Sequence, residues 1–365
     1  MARIDAILKL VKDQGASDLH LTTGSPPMVR INGAVTPIPY EEMTPELAEL
    51  ILFEIMDEGV RERYDRLKDV DFSYEVPGVV RARCNIYEQS KGAAGAFRIL
   101  PNQILTFEQL GLPAHVTRLT EMRRGLVLVT GPPGTGKSST LAAMIDHINR
   151  ISQKHILTIE DPIEYRHANH KSLVTQREVG RNTPSFAQAL RGALREDPDV
   201  ILVGELRDPE TMQLAITAAA TGQLVFGTLH TMSAAQTIDR VLDSFDGEKQ
   251  AQVRLMLAES LRGVLAQRLL RRKDGRSRAL ALEVLVSNGA VASLIRERKT
   301  FQLPSVIQTG KREGMQTMDE AVLALVRDGS VDPEEAVAHL SSRELLGPSG
   351  AAAPAAAPRP GLKAA

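Results

Sequence analysis

The sequence predicts a mixed α/β protein of two domains, a small α+β domain followed by a parallel-sheet domain. Three observations carry this reading. The chain has 365 residues, which at roughly 150 residues per domain gives about two domains. Hydrophobic residues make up 43%, enough for buried cores and too many for wholesale disorder. From Gly125 onward, apolar strand-like runs alternate with helical segments, the pattern of a parallel sheet covered by helices.

The elements follow in order. Residues 3–14 place Ile4, Ile7, Leu8 and Val11 at helical spacing. Residues 17–22 alternate like a strand, and Pro26-Pro27 and Asn32-Gly33 punctuate a short apolar run at 28–31. Thr44 reads as an N-cap with Pro45 at the first helical position, opening a helix expected to reach about Arg66. Strand-like runs at 70–76 and 79–87 are joined by Pro77-Gly78, and a third lies near 94–100. These elements define a domain over 1–100, with 101–113 as a linker containing a short helical turn. Further strands are expected at 126–130, 156–159, 200–203, 224–227 and 280–286. From Ser233 to about Leu346 the chain otherwise reads as mostly helical, so the second domain spans 114–346. The Pro/Ala-rich stretch 347–365 reads as a disordered tail.

Composition narrows the function classes. Lys and Arg number 44 against 45 Asp and Glu, a net charge of −1, which argues against coating nucleic acid through charge alone. Aromatics are 4% and Trp is absent, so the core rests on Leu, Ile, Val and Met. The single cysteine, Cys84, excludes an intrachain disulfide and a four-cysteine zinc site and reads as a small buried strand residue. No run approaches the ~18–20 apolar residues of a membrane helix. The stretch Met1 to Gly15 is too charged for a leader core. A soluble cytoplasmic protein without membrane insertion is expected.

The strongest motif is Gly131-Pro132-Pro133-Gly134-Thr135-Gly136-Lys137-Ser138, which fits GxxxxGK[ST]. An apolar strand feeds it, and a helix-forming run beginning at Ser139 leaves it. Glycines let backbone N–H groups turn inward, and the helix N-terminus adds a positive pole. ATP with Mg²⁺ is the expected ligand pair, with Lys137 on the β- and γ-phosphates and Ser138 on the metal.

In an open α/β sheet, ligands sit beyond the carboxyl ends of the strands. The 156–159 strand ends in Glu160-Asp161-Pro162-Ile163-Glu164, the 200–203 strand in Gly204-Glu205, and the 224–227 strand in Thr228-Leu229-His230. Together these supply the parts for hydrolysing ATP: a carboxylate for Mg²⁺, one for water, and a donor that senses the γ-phosphate. Asp161 also suits an ordinary turn before proline, and His230 an ordinary hydrogen-bonded histidine. Glycine at 204 stands where P-loop proteins usually carry aspartate. Glu205 therefore either reaches the metal, directly or through water, or the metal site is unusual.

These residues resemble a known family, the secretion ATPases of type II secretion and type IV pili, and within it the pilus retraction branch. The resemblance extends to about residue 345. It rests on Ser17-Asp-Leu-His-Leu-Thr22, Ile159-Glu-Asp-Pro-Ile-Glu-Tyr165, Asp197-Pro-Asp-Val-Ile-Leu-Val-Gly-Glu-Leu-Arg-Asp208, Gly227-Thr-Leu-His-Thr231, Gln308-Thr-Gly310 and Gly314-Met-Gln-Thr-Met-Asp319. It implies a PAS-like α+β N-terminal domain followed by a RecA-like P-loop ATPase domain with a helical C-terminal region. It also implies a homohexameric motor for pilus retraction, docked on the inner-membrane pilus platform protein, with a second retraction ATPase as a further candidate partner. Glu164 becomes the water-activating base, Glu205 the Walker B glutamate, and His230 the histidine-box residue. Arg83 and Arg98 become N-terminal arginines that face the nucleotide. The chain departs from the retraction pattern at Ala220-Thr-Gly-Gln223, where the branch reads Glu-Thr-Gly-His. It departs again at Ala290-Val-Ala-Ser-Leu-Ile-Arg-Glu297.

Three other readings compete with this one. Assembly and type II secretion motors resemble one another in a longer N-terminus and a tetracysteine insert, which one cysteine cannot supply. A nucleic-acid motor finds support only in Arg268 to Arg278, where six cations and Asp274 give a local +5. That stretch has no aromatics to stack bases and reads as a solvated loop or docking surface. A scaffold that binds ATP without turnover conflicts with Lys137, Glu164 and Glu205.

Overall fold

Alternating burial builds the first sheet. In β1 (Asp18–Thr22) Leu19 and Leu21 are buried while their neighbours are half-buried, as expected of a strand with one face on a core. The computed structural model describes residues 2–31, 33–101, 103–275 and 277–346; the expected tail at 347–365 lies outside the described residues. β2 (Met28–Ile31), β3 (Ala34–Pro37), β4 (Asp69–Val76), β5 (Val80–Gln89) and β6 (Gly92–Leu100) complete an antiparallel sheet in the order β3-β2-β1-β6-β5-β4. The helix Arg3–Asp13 buries Ile4, Ile7, Leu8 and Val11 on one side. Each fully buried aliphatic side chain of this kind contributes roughly 1.5–3 kcal/mol before entropy is counted. Cys84 is fully buried in β5, and burial pushes its thiol pKa up.

The single helix expected from Thr44 to Arg66 is instead two, Pro45–Phe53 and Glu58–Leu67. The reason lies in the caps. The Thr44 hydroxyl accepts from the Leu47 N–H, and the Asp57 carboxylate accepts from the Val60 N–H at 2.9 Å, starting a second helix.

The second sheet contains β7 (Gly125–Thr130), β8 (His155–Glu160), β9 (Leu173–Glu178), β10 (Val200–Val203), β11 (Leu224–Leu229), β12 (Leu261–Arg271) and β13 (Arg278–Val286), in the order β13-β12-β7-β11-β10-β8-β9. β12, β7, β11, β10 and β8 run parallel. β7, β10 and β11 are buried at every position, which explains their unbroken apolar runs.

Three strands escaped the sequence reading. β3 is short and fully exposed. β9 carries Thr175, Gln176 and Arg177 and lacks an apolar run. β12 lies in the stretch read as helical and pairs antiparallel with β13 through Gly263↔Val286 to Arg271↔Arg278, so the sheet is mixed rather than parallel. Of the basic stretch read as a solvated loop or docking surface, Arg268 to Arg271 belong to β12 and Arg278 opens β13, with exposed turn residues between them, while Arg276 lies outside the described residues.

The chain divides into two compact units. One comprises Met1–Ile104, Glu160–His167 and Gln176–Pro184; the other comprises Leu105–Ile159, Ala168–Thr175 and Ser185–Ala365. The linear division at 101–113 therefore leaves out two later segments that fold with the N-terminal unit. Among the described residues, no helix is long and apolar enough to cross a membrane.

Candidate functional site

Strand order places the site. β11 lies between β7 and β10. Lys137 opens the helix after β7 and its glycine-rich loop, the residue after β11 is His230, and Glu205 stands two residues beyond β10. Three neighbouring strand ends thus deliver a cation, an imidazole and a carboxylate in that order. The Lys137 Nζ lies 3.3 Å from His230 Nδ1, and His230 Nε2 lies 3.0 Å from Glu205 Oε1. An ammonium only donates, so Nδ1 is the acceptor and the Nε2–H donates to Glu205, a tautomer assigned from these contacts.

The loop itself is shaped by its own backbone. Lys137 is buried, and its ammonium donates to the Gly131 carbonyl at 2.8 Å and the Pro132 carbonyl at 3.0 Å. The Thr135 hydroxyl donates to the Pro132 carbonyl at 2.8 Å. Gly131 has φ +144, and a Cβ there would stand 2.6 Å from the Gln267 carbonyl oxygen. Backbone oxygen cannot yield as a side chain can, so only glycine fits. Gly136, with φ 84, is the N-cap of the helix Lys137–Ile151. Ser138 is exposed in the first turn of that helix, and Ser139 is half-buried. Pro133 and Gly134 are exposed at the tip, and Pro132 is half-buried.

Glu205 is fixed from both sides. The Gly204 N–H donates to the Ile159 carbonyl, and the Leu206 N–H donates to the Thr228 carbonyl. The Thr228 hydroxyl in turn donates to the Gly204 carbonyl. The carboxylate meets Arg207 Nη2 at 2.7 Å as well as His230. Partial burial opposes its charge, but the hydrogen bond and charge of Arg207, with His230 adding to them, hold the carboxyl below its usual range. Beyond His230, the hydroxyls of Thr130 and Thr231 lie 2.7 Å apart, as do those of Thr231 and Thr237. This chain links the end of β7 to the start of the helix Ala234–Asp243.

Sequence reasoning missed several supports. Gln267 on β12 donates to the Thr135 carbonyl at 3.4 Å, and Arg278 at the start of β13 donates to the Gly134 carbonyl at 3.4 Å. Arg207 was visible two residues after Glu205 but carried no signal of pairing. Gln223, where the family pattern has histidine, precedes β11 whereas His230 follows it. A six-residue strand spans about 20 Å, so the departure at Gln223 is remote from the Lys137–His230–Glu205 cluster.

The other expected site residues belong to the N-terminal unit. Arg83 and Arg98 stand directly opposite each other on β5 and β6. Arg83 Nε lies 3.5 Å from Asp71, and Arg98 Nε donates to Asp18 at 3.0 Å. Both guanidinium groups are exposed. A cross-strand pair of like charges is unfavourable, and here each cation has its own carboxylate. Asp161 is exposed at the bend leaving β8, joined to Pro162 by a cis peptide, and Glu164 is half-buried three residues further on. Among the described residues no cluster of three or more His, Cys, Asp or Glu side chains is arranged to hold a metal.

A glycine-rich loop fitting GxxxxGK[ST], between a buried strand and a helix N-terminus, marks a P-loop nucleotide-binding protein. Residues 1–319 match the model of the family described as type II/IV secretion system protein, and the chain belongs to that family. It is 50% identical over 333 residues to the type IV pilus retraction ATPase PilT of Pseudomonas aeruginosa, covering 91% of this chain and 96% of that protein. It is 37% identical to the type IV pilus ATPase PilU of the same organism, over 93% of this chain and 88% of that one. The crystal structure of the pilus retraction motor PilT with bound ADP superposes with a TM-score of 0.87 at 46% identity, covering 94% of this chain and 98% of that one. The fold is accordingly an N-terminal α+β domain and a secretion-type ATPase domain.

Proposed function

We propose that the chain is a ring-forming, ATP-hydrolysing motor that drives retraction of type IV pili. The observation that carries this is the Lys137–His230–Glu205 series on three adjacent strand ends, in a chain half identical to PilT over nearly its whole length. Lys137 and the amides of residues 131–138 hold the nucleotide phosphates, and Ser139 continues the binding turn. On binding, the lysine exchanges its contacts with the Gly131 and Pro132 carbonyls for phosphate oxygens. His230 touches both the phosphate-binding cation and Glu205, so it registers whether the γ-phosphate is present.

The donor set fits Mg²⁺. Glu205 is held ionised and partly accessible, and Ser138 offers an exposed hydroxyl at the helix start. Mg²⁺ typically takes one or two protein ligands and completes its shell with phosphate and water. Ser138 and Glu205 would hold it, and it would supply charge neutralisation along the phosphate chain. Glu164 accepts the proton of the attacking water. Arg83 and Arg98 add cationic charge to the γ-phosphoryl oxygens, where charge spreads in the transition state.

Six copies form the ring. Loss of the γ-phosphate changes the state of each subunit, a switch that ligand state can bias. The ring acts at the cytoplasmic face of the inner membrane, on the platform protein of the pilus machine. The test is to image surface pili in the source organism carrying Lys137→Ala. Abundant pili that no longer shorten are expected; a cell without pili would overturn retraction in favour of assembly.

A further inference from the structure

The Asp161–His167 segment contains no regular element, yet its backbone is tied at five points. The buried Arg81, near the start of β5, donates from Nη2 to the Ile163 carbonyl at 2.7 Å and from Nη1 to the Glu164 carbonyl at 3.4 Å. The buried Glu178, at the end of β9, accepts the Ile163 N–H at 3.0 Å. Gln176 donates to the Tyr165 carbonyl at 2.9 Å and accepts the His167 N–H at 2.9 Å. Both peptide groups flanking Glu164 are therefore held by the buried Arg81, and the preceding peptide, through its Ile163 N–H, by the buried Glu178.

Those side chains are themselves held. The Ser73 hydroxyl donates to both Glu178 oxygens, at 2.9 and 3.1 Å. Arg81 Nε lies 3.9 Å from Glu75, and Glu75 also pairs with Arg166 at 2.6 Å. A buried guanidinium is costly to desolvate, and desolvation by burial, with the neighbouring Arg166, pushes the Arg81 pKa down. Its planar fork reaches two successive carbonyls at once, which a lysine ammonium matches poorly.

We propose that Arg81, backed by Glu178, is a positioning residue that fixes the peptide of Glu164 and so aims the Glu164 carboxylate at the attacking water. This rests on the reading of Glu164 as the base. A general base contributes about 10²–10⁴ in rate, and a misplacement near 1 Å costs on the order of 10². Arg81 thus acts on turnover through its hold on the loop, without touching the nucleotide itself.

The experiment is steady-state ATP hydrolysis by the full chain, comparing wild type with Arg81→Gln, Arg81→Lys, Glu164→Gln and the double variant Arg81→Gln/Glu164→Gln. Arg81→Gln is expected to lower kcat about tenfold to a hundredfold, on the scale of such misplacement, with KM for ATP moving less than about threefold. Arg81→Lys should recover part of kcat. The double variant should be no slower than Glu164→Gln alone, because a misaimed base and an absent one cost the same step. If Glu164→Gln abolishes turnover while Arg81→Gln stays within about twofold of wild type, the positioning role is wrong. It is equally wrong if the two losses multiply. If Glu164→Gln itself turns over normally, the base assignment falls and the positioning role falls with it, an outcome distinct from the first two. Should Arg81→Gln fail to fold, Glu178→Gln tests the grip on the Ile163 N–H by the same split of kcat from KM.

Discussion

The Lys137–His230–Glu205 cluster and the Glu164 segment are built in different ways. Lys137, His230 and Glu205 come together because β7, β11 and β10 are neighbours. Their positions are set by backbone ladders that any apolar parallel strands would form. The Glu164 segment has no such ladder, and its shape depends on side chains from Arg81 and Glu178. One set of side chains is thus held by topology and the other by buried charge. Substitutions should therefore act on them differently, through backbone sterics in the first and through side-chain pairing in the second.

The largest effect expected at the Lys137–His230–Glu205 cluster comes from Gly131→Ala. The added Cβ meets the Gln267 carbonyl at 2.6 Å and Thr135 Oγ1 at 2.8 Å, at a φ that side chains rarely adopt. Overpacking and backbone strain each cost about 1–3 kcal/mol. Nucleotide affinity measured by calorimetry should collapse, and a variant binding ATP like wild type would break the topological half of the comparison.

A smaller effect is expected at Glu283 on β13. Burial raises its carboxyl pKa, against the opposing Ala234 N–H, which donates to it at 2.8 Å. A raised carboxylate is more protonated folded than unfolded, so stability falls as pH climbs from the ordinary carboxylate range through the raised value. Glu283→Gln keeps the acceptor and removes the charge. Thermal melts should show the variant gaining on wild type as pH rises through that window; a constant difference would contradict the sign.

The smallest stability effect belongs to Arg98→Ala. The side chain is 71% exposed and pairs with Asp18, and such surface pairs contribute about 0.2–1 kcal/mol. Melting should barely move while ATP turnover drops, if Arg98 serves the γ-phosphate. Unchanged turnover would return Arg98 to the role of a surface cation.

This contrast also explains what the sequence could reveal. The meeting of Lys137 with the strand-end groups Glu205 and His230 was legible because all three sit at fixed offsets from apolar runs. The role of Arg81 was hidden because its partner carbonyls lie more than eighty positions away, at 163 and 164. Arg83, on the same strand, and Arg98, on its neighbour, expose their charge instead. β12 was missed because Arg262, Gln267 and Arg268 interrupt its apolar run. Gln267 nonetheless braces the phosphate loop. The helix break near Asp57 was readable in principle, since Asp57 is an N-cap residue preceding a charged helical run.

Whether the three strand ends act as one site is read from ATP turnover by Glu205→Gln. The substitution preserves shape and a hydrogen-bond acceptor while removing the charge that Arg207 and His230 hold in place. With the nucleotide still binding, ATP hydrolysis should fall by about 10² or more, the scale on which transition-state electrostatics act. Hydrolysis within about twofold of wild type would contradict the account of three strand ends acting as one site.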